Sequence, residues 1–174
     1  MNKGFKTGIF ALALIALASC GSDDEVTEGV IDTADVKGEI DLMGAEGGSL
    51  NYNYNGNEYK AYEVELNDSA VLRIFPNNVT FEMAKEEVHT KIKGPFSNIE
   101  IISTEGDCIY YKEVKRPFGG DGEERTGYGF IRVVKKDAKT NYQIESGGAL
   151  MDPIWNKADA DKLLKIAKSF KPKS

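Results

Sequence analysis

The chain has 174 residues, with 22 Lys and Arg, 28 Asp and Glu, one His, one Trp and two Cys. Its length favours a single compact domain, and its 41% apolar and 29% charged content is typical of a globular protein. That balance excludes a disordered chain and a membrane bundle. One histidine and two cysteines cannot supply a His-rich or Cys-rich metal site, so no metal and no cofactor are expected.

Residues 1–20 have the pattern of an export signal. Lys3 and Lys6 form a positive start, and an uncharged apolar run from Ile9 to Leu17 follows. With the small residues that flank it, the apolar stretch is about 10 to 12 residues long, whereas a helix that spans a bilayer needs about 20. The pattern therefore favours a cleaved signal peptide over residues 1–19 rather than a permanent transmembrane helix.

The residues at the cleavage position resemble the lipobox of bacterial lipoproteins. Leu17, Ala18, Ser19 and Cys20 stand in this order directly after the apolar run. The resemblance implies that Cys20 becomes the acylated N-terminal residue and that its lipid holds the protein to a membrane. An ordinary secretory signal that happens to contain a cysteine is the alternative.

An acidic segment follows Cys20. Asp and Glu recur through positions 21–45 and are opposed only by Lys37. Such a segment repels itself, so we expect a flexible tether over residues 20–45 with an end-to-end distance of about 25 to 30 Å. The run Ser22-Asp23-Asp24-Glu25 also resembles the acidic surface-export signal of lipoproteins from one phylum of Gram-negative bacteria. The expected location is thus the outer membrane with exposure at the cell surface, and its periplasmic face is the alternative.

The charge balance argues against a nucleic-acid partner. Removal of residues 1–19 leaves 20 cations against 28 acids, a net charge of −8. Binding to nucleic acid needs a basic face that neutralises phosphates. The one concentration of cations is at the C-terminus, where it offsets a helix dipole and is expected to form a solvated helix face: Lys162, Lys165, Lys168, Lys171 and Lys173.

From residue 46 onward the sequence has the pattern of a single domain that ends at residue 174. Apolar residues at positions 50–54 alternate with asparagine, and the alternation resumes at Tyr62 after Asn55-Gly56. A three-residue loop with Gly56 in the left-handed conformation would place the even-numbered apolar residues of both strands on one face. We therefore predict a hairpin with that register.

The remaining elements complete an α+β pattern. Residues 70–75 are nearly all apolar and predict a strand inside the sheet. Helices are predicted over residues 81–92 and 157–170, the second with Asn156 as its N-cap. Antiparallel hairpins are predicted between them, at residues 98–114 and 128–145. The predicted fold class is α+β, an antiparallel β-sheet covered by helices.

The order of these elements resembles the PsbP-like fold. The resemblance covers about residues 49–171 and is most recognisable in the last helix, which ends in Ser169-Phe170-Lys171. This fold is shared by the extrinsic photosystem II protein, a Ran-binding nuclear import factor and several bacterial lipoproteins. It implies an α/β/α sandwich and a role in binding or assembly, usually without catalysis.

Few residues are candidates for catalysis. His89 is the only imidazole, and its charged neighbours indicate an exposed surface residue. Cys108 has apolar strand neighbours, which indicate a buried small hydrophobe rather than a reactive thiol. The acidic loop at positions 121–124 lacks the ligand spacing of a calcium loop. No catalytic residue is therefore predicted.

Two aromatic residues are the candidates for contact with a ligand or partner. Tyr59 lies in a hairpin rich in tyrosine and asparagine, a composition typical of recognition surfaces. Trp155 directly precedes the last helix, where it is either a plug over the end of the sheet or an exposed contact residue.

The sequence favours a non-enzymatic, lipid-anchored binding or assembly module whose partner is an unknown protein or glycan. Two alternatives stay open. A small carboxylate-dependent hydrolase or glycan-processing enzyme requires two acids with strongly perturbed pKa values in one cleft. An immunity or inhibitor protein requires an acidic face that complements a basic partner.

Overall fold

The computed structural model describes residues 28–54, 57–91, 97–115, 123–147 and 152–173. The strands within these ranges are β1 Glu28–Asp32, β2 Lys37–Asp41, β3 Glu46–Tyr54, β4 Asn57–Asn67, β5 Ala70–Asn77, β6 Ser97–Glu105, β7 Cys108–Lys115, β8 Arg125–Lys135, β9 Asn141–Gly147 and β10 Lys171–Pro172. The helices are α1 Phe81–Lys91 and α2 Lys157–Ser169. Antiparallel strands with two helices confirm the α+β class in this broad sense.

Seven strands form the central sheet in the spatial order β3-β4-β5-β9-β8-β7-β6, and every neighbouring pair is antiparallel. β5 lies between β4 and β9, which confirms the interior position predicted for the apolar run. The two helices lie on opposite faces. Tyr110 and Phe130 are buried in the cluster beneath α2, whereas their strand neighbours Ile109 and Ile131 are buried beneath α1.

α2 begins at the predicted residue and ends one residue earlier than predicted, at Ser169. Asn156 caps it, because its Oδ1 accepts the backbone N–H of Ala158 at 2.9 Å. The ring of Phe170 directly follows the helix and meets the ring of Tyr142 edge-on, with 5.4 Å between ring centroids. Neither helix in the described residues is both long and apolar enough to span a membrane.

Residues 28–41 form two strands of a second sheet, in the order β1-β2-β10. Ile31, Val36 and Ile40 are fully buried in the same cluster as α2. The prediction of a flexible tether over residues 20–45 is therefore wrong for residues 28–45, and the domain begins before residue 46. Residues 1–27, including Cys20, lie outside the described residues.

The acids of this segment lie on the solvent side of the small sheet because they alternate with small or apolar residues. In β2, Lys37 and Glu39 are exposed while Gly38 and Ile40 are buried. Lys173 Nζ lies 2.9 Å from Glu39 Oε1, so one of these acids is also paired. The high acid content of the segment therefore conceals that β2 has one exposed, charged face and one buried face.

The small sheet is tied to the main core at its glycine. A Cβ at Gly38 would lie 2.5 Å from Phe170 Cε2, so only glycine lets β2 approach the ring this closely. Nearby, Ser169 Oγ in the last turn of α2 accepts the backbone N–H of Asp41 at 2.9 Å. The hydroxyl of Tyr142 accepts a further backbone N–H of β2 at 3.1 Å.

The β3–β4 hairpin differs in register from the predicted one. Tyr54 pairs with Asn57, so the connection has two residues, at positions 55 and 56, which lie outside the described residues. Leu50 pairs with Ala61 on the α1 side of the sheet. Val64 points to the opposite side, into the cluster beneath α2. The predicted three-residue loop is therefore wrong.

Gly47 supplies the physical reason for this register. A Cβ at Gly47 would collide with the hydroxyl and ring of Tyr62, so the ring of Tyr62 lies across β3 on the α2 side. Because the ring of Tyr62 from the neighbouring strand β4 already covers the α2 side of β3, β3 needs no large apolar residue there. Its Leu50 is consequently free to lie on the other face.

Candidate binding face

One half of a sheet face has no helix over it in the described part of the chain. α1 packs over β6, β7 and β8, where it covers Ile131. Glu145 is the register partner of Ile131 and lies on the same face, beyond α1. We call the α1 side of β3, β4, β5 and β9 the open half-face; its residues include Glu46, Leu50, Ala61, Glu63, Glu65, Val71, Arg73, Phe75, Gln143 and Glu145.

An ion pair lies at the centre of the open half-face. Arg73 Nε donates to Glu63 Oε2 at 2.8 Å, and the two side chains are only 20% and 23% exposed. Glu63 is the register partner of Arg73 on β4, and Glu145 is its partner on β9. The guanidinium group of Arg73 on β5 therefore lies between two carboxylates, one on each neighbouring strand.

The adjoining row carries amide groups. Asn77 Nδ2 donates to Gln143 Oε1 at 2.5 Å, and Gln143 Nε2 donates to Glu145 Oε2 at 3.1 Å. Gln143 is only 8% exposed, so this amide is held by its neighbours rather than by bulk water. Half-buried Phe75 is its register partner on β5. The result is a surface of fixed polar groups beside an aromatic ring.

The outer edge of the open half-face is acidic. A concavity of about 240 Å³ is lined by Glu46, Glu63 and Glu65, together with residues 47–50. Glu46 and Glu65 are direct register partners on β3 and β4, and like charges in this position repel one another. This edge therefore favours the approach of a cationic group.

The two contact residues predicted from the sequence are not brought together. Tyr59 stands opposite Tyr52 in the β3–β4 register, and the side chains of both lie outside the described residues. Trp155 adjoins β8, three strands away from β4. It is half-buried against Gly127, and the guanidinium of Arg125 lies 4.1 Å from the centroid of its ring. Trp155 is thus packed at the end of the sheet.

Sequence reasoning missed Glu63, Arg73 and Gln143. Arg73 interrupts the apolar run of β5, and a charged residue inside a buried strand needs a partner of opposite charge. That interruption is the signal that could have located the ion pair.

A second polar cluster fastens α2 to β7. Tyr110 Oη donates to Asp161 Oδ1 at 2.6 Å, and Lys157 Nζ lies 2.6 Å from Asp161 Oδ2. Burial raises the pKa of Asp161, but hydrogen bonds from Lys157 and Tyr110 outweigh this effect and hold the pKa below its usual range. Burial and the same carboxylate raise the pKa of Tyr110. Both groups are therefore held in one hydrogen-bonded arrangement.

Other shifted carboxyl groups in the described residues also have lowered pKa values. The Lys173 ammonium group lowers the pKa of Glu39, and the Lys168 ammonium group lowers the pKa of Glu105. Backbone N–H groups lower the pKa of Asp137. This direction is opposite to the raised pKa that a carboxyl acting as general acid needs.

The predictions for the histidine and the free cysteine are confirmed. His89 is exposed on α1. Cys108 is buried, and burial raises the pKa of its thiol to about 11, which leaves it protonated at neutral pH. The described ranges contain no group of three or more side chains suited to hold a metal ion.

No protein-family model, curated protein or solved structure matches this chain. What can be inferred of its function depends on its own residues and geometry.

Proposed function

We propose that this protein is a lipid-anchored lipoprotein of the outer membrane of a Gram-negative bacterium, displayed at the cell surface, that acts as a non-enzymatic binding or assembly module. The lipobox-like sequence ending in Cys20 supports the anchor. The open half-face is the observation that carries the binding role. Its polar side chains are held by one another beside Phe75, so a protein or glycan partner would meet a surface that needs little reordering.

We also infer that the domain is a member of the PsbP-like fold. The antiparallel sheet between α1 and α2, and the C-terminal helix that ends directly before Phe170, support this inference. β1 and β2 precede the stretch that the resemblance covers and are an addition to it.

The start of β1 determines how far the domain can stand from the membrane. Only seven residues separate Cys20 from Glu28, the first residue of β1. Eight Cα–Cα steps span at most about 26 to 29 Å when fully extended. A lipid on Cys20 therefore keeps the small sheet within that distance of the lipid head groups.

Replacing the proposed lipid-bearing residue tests the anchor. In cells fed an alkyne-labelled fatty acid, we expect the unsubstituted protein to carry the label and to sediment with membranes, and Cys20→Ala to lose both properties. The matched control is Cys108→Ala, which removes the buried thiol and should keep label and membrane association. A Cys20→Ala protein that still carries label or still partitions with membranes contradicts the proposal.

Digestion of intact cells distinguishes the two faces of the outer membrane. An added protease should degrade the protein without permeabilisation if the domain is displayed outside. Protection until the outer membrane is opened would place it on the periplasmic face.

One observation favours a second candidate function, an immunity or inhibitor protein that blocks a basic partner. The concavity lined by Glu46, Glu63 and Glu65 is acidic. The net charge of the chain without residues 1–19, 20 cations against 28 acids or −8, has the same sign. Complementary charge speeds encounter with a cationic protein and discriminates against acidic ones.

An oligolysine peptide is the probe for this second function. At low salt, we expect the double variant Glu46→Gln/Glu65→Gln to bind it about tenfold more weakly than the unsubstituted chain, because two carboxylates of one concavity are neutralised. Glu82→Gln/Glu86→Gln removes two exposed acids from α1 and is the matched control for net charge. Equal weakening in both double variants, measured by titration calorimetry, would show that only net charge matters and would contradict a role for the concavity.

A further inference from the structure

β3 is a free edge of the central sheet. No other strand of the described residues pairs with its outer side. Its pairing with β4 runs without interruption, and its nine residues contain neither lysine nor proline, which natural proteins use to protect such edges. The edge at β6 differs, because its pairing with β7 shifts between Ile101 and Ser103. Of these two edges, β3 is therefore the less protected against pairing with another strand.

The glycines of this edge differ in what lies against them. In β3, the ring of Tyr62 lies over Gly47. Elsewhere in the sheet, the ring of Tyr111 on β7 lies over Gly129, its register partner on β8. At Gly48, no described atom lies within 4 Å of the place where a Cβ would stand. Glycine weakens a strand and often marks a position that another group approaches closely. Gly48 leaves room at the edge for a side chain from a neighbouring strand.

We propose that β3 pairs with the β3 strand of a second copy of this chain, antiparallel and about a two-fold axis at Leu50. This alignment pairs all nine residues of both strands. It places position 52 of each copy, a tyrosine, opposite Gly48 of the other copy. The pairing repeats between chains the Tyr111 and Gly129 pair that the sheet already contains.

The charges of β3 agree with this alignment. Glu46 is the only charged residue of the strand, and the alignment places it opposite position 54, a tyrosine. The two Glu46 residues stand at opposite ends of the seam, about 27 Å apart along the strands. A register shifted toward the start of β3 would bring them together, which is unfavourable.

The dimer enlarges the binding surface. Joining β3 to β3 makes one continuous sheet of the two seven-stranded sheets. The open half-faces of both copies then lie side by side on the same side of that sheet. The dimer does not depend on the lipid anchor or on the nature of the partner.

A single cysteine at the axis tests the dimer. Residues directly opposite in antiparallel strands have Cβ atoms about 4.5 to 5.5 Å apart, close to the separation that a disulfide bridges. In the full-length protein in its own membranes, mild oxidation of Leu50→Cys should give about tenfold more cross-linked dimer than oxidation of Val30→Cys. Val30 is 67% exposed in β1 and reports random collision. The unsubstituted chain provides the background from its own cysteines. Equal cross-linking of the two variants would overturn the dimer.

A mixture of two variants tests the register. Chains with Gly48→Cys should cross-link to chains with Tyr52→Cys. Neither variant should cross-link to itself beyond the Val30→Cys level, because each position lies about 14 Å from its own copy along the seam. Cross-linking of Gly48→Cys to itself would overturn the proposed alignment.

A charge at the axis provides a measurement without cysteine. Leu50→Lys places two ammonium groups opposite one another and should weaken dimerisation about tenfold, measured by sedimentation of the purified protein in detergent. Ile102→Lys changes an exposed residue of β6 and should leave dimerisation unchanged. Thermal melting of both variants shows that they fold. An unsubstituted protein that sediments as a monomer at every concentration would overturn the proposal.

Discussion

Ile31→Ala is expected to lower the free energy of unfolding by about 2 to 4 kcal/mol, because it removes a buried side chain and leaves a cavity. Ile31 is 1% exposed and belongs to the core cluster that α2 covers. Equilibrium unfolding in urea measures the effect. The same experiment shows whether β1 is an integral part of the domain.

The neighbouring residue provides the matched control. Val30 stands next in sequence but is 67% exposed. Val30→Ala should change the free energy of unfolding by no more than about 0.5 kcal/mol. A free tether before residue 46 would make both substitutions neutral, so two equally small effects would contradict the small sheet.

Arg132→Met is expected to lower the free energy of unfolding by about 2 to 4 kcal/mol. Arg132 Nη1 donates to the carbonyl oxygens of Ala167 at 2.6 Å and Phe170 at 3.2 Å, at the C-terminal end of α2. Its Nε lies 3.0 Å from Asp107 Oδ1, and its side chain is only 14% exposed. Methionine keeps the apolar stem but leaves these half-buried acceptors without their donor.

One further variant separates the guanidinium group from its charge, and a second is a control at an exposed arginine. Arg132→Lys keeps one positive charge without the planar fork, and its stability should lie between those of the unsubstituted chain and Arg132→Met. Arg125→Met removes an exposed arginine that lies over Trp155, and should cost no more than about 1 kcal/mol. Urea unfolding of Arg132→Met within 0.5 kcal/mol of the unsubstituted chain, a difference of about the size seen at surface positions, would contradict the capping role.

Local patterns were enough to predict most of the central sheet. The apolar stripe and the Asn156 cap predict α2, and the interior position of β5 follows from its apolar run. Burial of Cys108 and exposure of His89 also follow from their immediate neighbours. These features depend on residues that are close together in the chain.

The register of the β3–β4 hairpin could not be obtained in the same way. The predicted register requires the apolar residues of both strands to share one face. Gly47 removes that requirement, because the ring of Tyr62 covers β3 from the neighbouring strand. The position of that ring depends on a packing contact across strands.

The arrangement of the candidate site also depends on contacts between strands. Arg73 is visible in the sequence as a charge within an apolar strand, but its partner Glu63 is chosen by the register of β4 and β5. Within the described residues, α1 covers one half of the face and not the other, and this depends on where the helix packs.

The sequence by itself determined the α+β class and the start of each helix, because these follow from local periodicity and capping. Only the tertiary structure decided that residues 28–41 belong to the domain and that β3 is the last strand of the sheet at one edge among the described residues. The acids of β1 and β2 would keep an isolated segment extended. Once β10 and Phe170 provide a surface on which to bury Ile31 and Ile40, the same residues form strands.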